Sequence, residues 1–209
     1  MARAAGRLRD TLAEPGLGAA VAAYFDPAEG FAGMSFSTIG RNLANKVTAG
    51  DLLAVSLLDI VWRPEAVRQL LGPQAEQVSV MLGAVTSDVD LWDATDADMA
   101  AVDRLWDVLV DMPGVGTATA TKLLARKRPR LCPVTDKVVI RTAGSPGQTW
   151  EALRFLLRDP GARADVEALR PPEAAGASLL RILDVAIWVA ASPSREAQRC
   201  RLAGRGRAA

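Results

Sequence analysis

Alanine and leucine recur at intervals of three and four between Arg, Asp and Glu along most of the chain, and alternating runs of Val, Ile and Thr are scarce. That spacing is the helical period, and it leaves little material for a sheet, so the expected fold class is all-α. With 209 residues, half of them hydrophobic, the chain is long enough for one sizeable domain or two small lobes sharing a core. Thr48 with Asp51 three residues on reads as an N-cap with an acidic first turn, opening a helix through Leu52, Leu53, Val55, Leu57 and Leu58. Further helices are expected over about 64–71, 75–84, 98–112, 117–126, 136–142, 149–158 and 176–191. The Gly- and Pro-bearing stretch 24–40 reads as a loop, residues 1–10 as a mobile arm, and 193–209 as a basic disordered tail with Arg195, Arg199, Arg201, Arg205 and Arg207 against Glu196.

Composition removes whole classes of chemistry. Without histidine there is no Ser-His-Asp or Cys-His catalysis and no His-containing zinc site, so any catalysis falls to carboxylates or lysines. Two cysteines, Cys132 and Cys200, cannot furnish a four-thiolate cluster or a disulfide framework, which fits a reducing cytoplasm. The most apolar run, 179–191, is interrupted by Arg181 and Asp184 and falls short of the roughly 20 residues that span a bilayer, so no membrane partner is expected. The 25 Lys and Arg nearly balance the 24 Asp and Glu, so any affinity for nucleic acid must be local. Charge is indeed uneven: eight aspartates between Asp88 and Asp111 face Arg104 alone, whereas Lys122, Arg126, Lys127, Arg128, Arg130, Lys137 and Arg141 face Asp136. The basic segment reads as an edge for a polyanion, with a solvated face as the alternative.

The stretch VLVDMPGVGTATATKLLARK carries the strongest signal. An amphipathic helix ends near Met112, the residues Pro113, Gly114, Val115 and Gly116 turn sharply, and a second helix starts at Thr117, which makes a helix-hairpin-helix. Glycines permit the tight turn and the close approach of another backbone, and the unpaired N–H groups of the second helix's first turn suit phosphate. Gly114, Gly116, Thr117, Thr119 and Lys122, with Lys137 further on, are therefore the candidate contacts to a DNA backbone, independent of sequence.

Here the chain resembles the helix-hairpin-helix (HhH-GPD) DNA glycosylase superfamily, in its endonuclease III-like branch. The hairpin matches over 112–116, and the family's catalytic aspartate matches Asp136, 20 positions after Gly116 and followed by Arg141. A weaker match covers LLAVSLLDIVWR, residues 52–63, which resembles the helix leading into the family's cleft. The resemblance implies two helical lobes around a cleft for DNA and base, assigned to residues 21–192 with the hairpin at 98–126 and the catalytic loop at 127–142, after an arm and first helix over 1–20. It also marks departures. Ala118 stands where bifunctional members carry the lyase lysine, no cysteine cluster surrounds Cys200, and Ala54 stands where adenine-specific members carry an acid. What is implied is a monofunctional N-glycosylase without cofactor, acting as a monomer on double-stranded DNA that holds a damaged or modified base, in repair or against foreign DNA. The only ion implied is a monovalent cation on the hairpin carbonyls of Met112 and Val115.

The chemistry of Asp136 can be argued without the resemblance. Breaking an N-glycosidic bond builds positive charge on the sugar, and a carboxylate near C1′ stabilises it while orienting or deprotonating water. The alternative is a residue that caps its helix or pairs with Arg141. Asp59 and Trp62, at the end of the 52–63 segment, are candidates to bond a base edge and to stack on a base or wedge the duplex, with core packing as the alternative for Trp62. Tyr24 and Phe31 are candidates to close over an extruded base, with loop anchoring as theirs. Two rival readings of the whole remain: a non-catalytic DNA-binding module, and an abasic-site lyase using Lys137.

Overall fold

A computed structural model of the chain describes residues 1–208 and is all-helical, with no strand among the described residues. The chain divides into two compact units, one formed by Met1–Met34 and Val134–Ala209 and the other by Ser35–Pro133, so the second unit is inserted in the sequence of the first.

The inserted unit contains α3 (Ala49–Ser56), α4 (Pro64–Leu71), α5 (Ala75–Ala84), α6 (Asp96–Val110) and α7 (Thr117–Lys127). The local chemistry that starts them is plain. Thr48 and Asp51 form a capping box on α3, the Thr48 hydroxyl accepting the Asp51 N–H at 3.3 Å and the Asp51 carboxylate accepting the Thr48 N–H at 2.9 Å. Thr95 and Asp98 repeat the device on α6, and Pro64 opens α4 at its first position, where a missing N–H costs nothing. Leu70, Leu82, Leu91, Val102, Leu105 and Leu123, each 1% exposed or less, form the core of this unit.

The other unit contains α1 (Ala2–Leu12), α2 (Leu17–Phe25), α8 (Lys137–Ala143), α9 (Thr149–Leu157), α10 (Pro160–Ala168), α11 (Leu179–Ala191) and α12 (Arg195–Ala208). Its axis is α11, begun by Ser178, whose hydroxyl accepts the Arg181 N–H at 3.1 Å, and buried on nearly every side from Leu180 to Val189. No described helix is long and apolar enough to cross a membrane.

Both termini correct the sequence reading. The expected arm is α1, which buries Ala4, Ala5, Leu8 and Leu12 against its neighbours and sends Arg7 to the Ala143 carbonyl at 2.6 Å, completing the C-terminus of α8. The expected disordered tail is α12. It buries Ala197 and Cys200 completely, and Gly204 lies so close to α2 that a Cβ there would stand 2.6 Å from the Ala20 nitrogen. Three of its arginines bond inside the unit: Arg199 donates to the Glu29 carbonyl at 2.6 Å, Arg201 to the carbonyls that end α11, Ser192 among them at 3.2 Å, and Arg207 pairs with Asp26. The charge density suggested a solvated terminus, but small residues at Ala197 and Gly204 allowed close packing instead. The 24–40 stretch, read as a loop, holds the end of α2 and two 3-10 segments, Pro27–Glu29 and Ala32–Ser37.

Candidate nucleic-acid interface and its carboxylate

The hairpin lies within the inserted unit. After α6 ends, the Val115 N–H donates to the Met112 carbonyl at 3.0 Å and closes the turn, with Met112 and Val115 as its buried anchors. Gly114 takes φ +86°, and a Cβ there would meet the Arg63 Cβ at 2.9 Å, so glycine is required twice over. Gly116 differs. It is the N-cap of α7 in ordinary extended geometry, and a Cβ there would meet nothing within 4 Å. No side chain caps α7, which leaves the N–H groups of its first turn open to an outside acceptor beside the exposed Thr117 and the half-buried Thr119.

Lys122 does not belong to this face. It is 8% exposed, and its ammonium donates to the Leu58 carbonyl at 2.6 Å, tying α7 to the end of α3. From Ala120 onward α7 runs into the interior, packed on α3 and α6, and carries the basic run inward with it. Arg126 bonds Asp51 at 3.3 Å and the carbonyls of Phe36 and Ile39 at 2.7 and 2.6 Å. Lys127 bonds Asp51 at 3.0 Å, Asn42 at 2.7 Å and the carbonyls of Leu43 and Lys46. Arg128 reaches the carbonyls of Ala44, Val85 and Leu82 and the Asn45 amide oxygen. Burial pulls the Lys127 ammonium below its ordinary pKa, with the Asp51 carboxylate opposing the shift. Arg130 pairs with Asp90 at 2.5 Å, and Arg141 donates to the Ala191 carbonyl at 3.3 Å. The expected polyanion edge is thus largely an internal clamp on the 36–46 segment.

The segment between α3 and α4 is also rearranged relative to expectation. The Trp62 indole N–H donates to the Leu52 carbonyl at 2.7 Å, which ties a half-buried ring to α3. Asp59 is exposed with φ +61°, a left-handed conformation that aspartate tolerates better than most residues. Val61, which sequence reasoning passed over, is 92% exposed at the tip. Its signal was present in DIVWR, but nothing local distinguishes an outward valine from a core one.

Asp136 lies in the other unit, two residues past Val134, where the chain re-enters it. It is the N-cap of α8: its Oδ1 accepts the N–H groups of Val138 and Val139 at 2.8 and 3.0 Å, and its Oδ2 takes no hydrogen bond among the described residues. The capping alternative therefore describes half of the carboxylate, and Arg141 is not its partner. The neighbouring Thr135 receives the Trp150 indole N–H on its hydroxyl at 3.0 Å. Lys137 is exposed.

Tyr24 and Phe31 are core residues, 6% and 5% exposed, which corrects their reading as groups that close over a base. Their rings stack at 5.8 Å, the Tyr24 hydroxyl receives Arg181 at 2.6 Å, and the Arg199 guanidinium covers Phe31 at 4.0 Å from the ring centre. They anchor the turns that follow α2. Burial raises the Tyr24 pKa above its ordinary value, against the opposing Arg181 charge. Asp184 pairs with Arg181, three residues before it on α11.

A model for a family described as "Family of unknown function (DUF6308)" matches residues 18–191. No curated protein and no solved structure matches the chain.

Proposed function

We propose that this chain, which belongs to the DUF6308 family, is a monofunctional DNA N-glycosylase of the helix-hairpin-helix type, with Asp136 as its catalytic carboxylate. One observation carries the reading: a glycine-led helix start with no side-chain cap is followed, 20 positions later, by a helix-capping carboxylate with one unused oxygen. Gly116, Thr117 and Thr119 bind a backbone phosphate through N–H and hydroxyl donors, without reading sequence. Val61, an apolar side chain 92% exposed on the same short segment as Trp62, is the further candidate wedge, with Asp59 beside it for a base edge.

The reaction needs little more. As the C1′–N bond lengthens, the base leaves with the bonding electrons and takes a proton from water. The unused Asp136 oxygen stabilises the developing oxocarbenium ion and removes the proton of the attacking water, leaving an abasic site. Lys137 adjoins the carboxylate as an exposed phosphate contact.

The capping bonds of Asp136 also favour a second reading, a DNA-binding module without base excision, because they give the residue a structural use. A panel of duplexes carrying single alkylated, oxidised or deaminated bases, together with genomic DNA of phages with modified bases, separates the two. Alkali-labile sites formed by the parent and not by Asp136→Asn support the glycosylase; salt-sensitive binding with no such site on any substrate supports the module. Covalent trapping on abasic DNA by borohydride, lost in Lys137→Ala, would identify a lyase instead.

A further inference from the structure

Only Thr135 separates Asp136 from Val134, where the chain re-enters its first unit. The helix that follows, α8, has seven residues, too few to be stable alone in water. The direction of Asp136 is therefore set by what grips the chain on either side of it. On the helix side its Oδ1 accepts the Val138 and Val139 N–H groups, and its carbonyl accepts the Ile140 N–H at 3.0 Å. These bonds turn the carboxylate together with the helix start, and they do not hold that start in place. On the other side stands the buried Thr135, whose hydroxyl accepts the Trp150 indole N–H at 3.0 Å.

Trp150 is itself firmly seated. It lies in the first turn of α9, which packs on α1, α8 and α10 and buries Ala152 and Leu153 directly after it. Just before it, the Thr149 hydroxyl and the Gln148 N–H both donate to the Ser145 carbonyl, at 3.1 and 3.0 Å. An indole has two side-chain torsions, so on such a platform it is a donor with little freedom, and it is aimed at the residue before the carboxylate.

We propose that Trp150 is a positioning residue for Asp136, fixing through the Thr135 hydroxyl where the unused carboxylate oxygen points. A helix cap tolerates a shift of the whole helix start, because its N–H partners move with it. A carboxylate that must face C1′ does not, since a displacement of about 1 Å already costs rate steeply. The catalytic half of this assignment rests on the glycosylase reading of Asp136, whereas the geometric half is read without any substrate.

The test uses two variants of the full chain. Trp150→Phe keeps a ring and deletes the donor, and Thr135→Val keeps the shape and deletes the acceptor. In isotope-labelled protein each should shift the amide signals of Val138 and Val139, which report the Asp136 Oδ1 bonds, and leave those of the inserted unit unmoved. On a duplex that the parent excises, each should slow single-turnover abasic-site formation about tenfold, with affinity for uncleaved duplex unchanged. The double variant should be no slower than the slower single, because both delete the same bond. Thr135→Ser, which restores the acceptor, should recover most of the rate that Thr135→Val loses. A bond that merely staples α9 would lower the melting temperature and leave the rate of the folded protein and the two amide signals where they were. Unmoved Val138 and Val139 signals, full excision by either folded single variant, or additive losses in the double would each overturn the proposal. A parent that excises no base from any duplex refutes the glycosylase reading instead, and the two amides then still decide whether Trp150 sets Asp136.

Discussion

A carboxylate that caps a helix with one oxygen and leaves the other unused can be tested one atom at a time. Asp136→Asn keeps an acceptor for the Val138 and Val139 N–H groups, so it should cost well under the ~1 kcal/mol of a lost cap. Excision should nevertheless fall on the order of a hundredfold or more, because the charge facing the oxocarbenium ion is gone. Asp136→Ala should lose both, adding the cap's ~1 kcal/mol to the kinetic defect. Single-turnover abasic-site formation read beside melting curves checks the pair, and full excision by a folded Asp136→Asn protein would refute the mechanism. Lys122 gives the opposite pattern. Lys122→Met leaves the Leu58 carbonyl without its donor, so stability should drop by about 1–3 kcal/mol. The salt slope of DNA binding should stay put, whereas a true phosphate contact would reduce it by about one. The local sequence could place Lys122 one turn into a helix but not choose the side it faces.

At the scale of an element, the two hairpin glycines part company. Gly114→Ala forces a Cβ against Arg63 from a left-handed backbone and should destabilise the inserted unit by at least about 1 kcal/mol. Gly116→Ala meets no neighbour and strains no dihedral, so its melting curve should match the parent's. A fall in affinity for random duplex in Gly116→Ala alone would then mark the point where DNA approaches, and unchanged affinity would remove the hairpin from the interface. In α12, burial pushes the Cys200 thiol up to about 12. A raised value means that the folded protein keeps a proton the unfolded chain gives up at ordinary thiol values. This group's share of stability is therefore complete below about pH 9 and declines as pH rises toward 12. At pH 8 Cys200 should resist alkylation in the native protein. Gly204→Val, which drives a side chain into the α2 backbone, should release it while leaving Cys132, buried in the other unit, protected. Equal labelling of both cysteines would mean global unfolding instead.

For the molecule as a whole, the unusual feature is three consecutive buried cations, the first two of which share one carboxylate. Asp51 is fully buried between Arg126 and Lys127, and the remaining bonds come from carbonyls of the 36–46 segment, from those of Leu82 and Val85, and from Asn42 and Asn45. Removing a single partner from such a group leaves uncompensated charge, and Asp51→Asn should cost about 3–5 kcal/mol, enough to unfold many domains of this size. Urea titration should show the loss in tryptophan signals from Trp62 and Trp106 of the inserted unit. A loss under 1 kcal/mol would mean that the carbonyls alone satisfy the cations.

The sequence by itself determined the elements. The α4 and α5 spans follow from the helical period and from Pro64, the α3 start from Thr48 and Asp51, and the hairpin turn from Gly114, because each rests on backbone geometry and on bonds within a few residues. Tertiary structure alone decided where the charges and aromatics went. Arg126, Lys127 and Arg128 read as a basic surface until carbonyls some eighty positions earlier in the chain receive them. Tyr24 and Phe31 read as a lid until Arg181 and Arg199 close over them. Arginine-rich 195–207 read as solvated until Gly204 let α12 settle on α2. Burial of a charge depends on partners supplied by distant segments, and no local pattern encodes a partner more than a helical turn away.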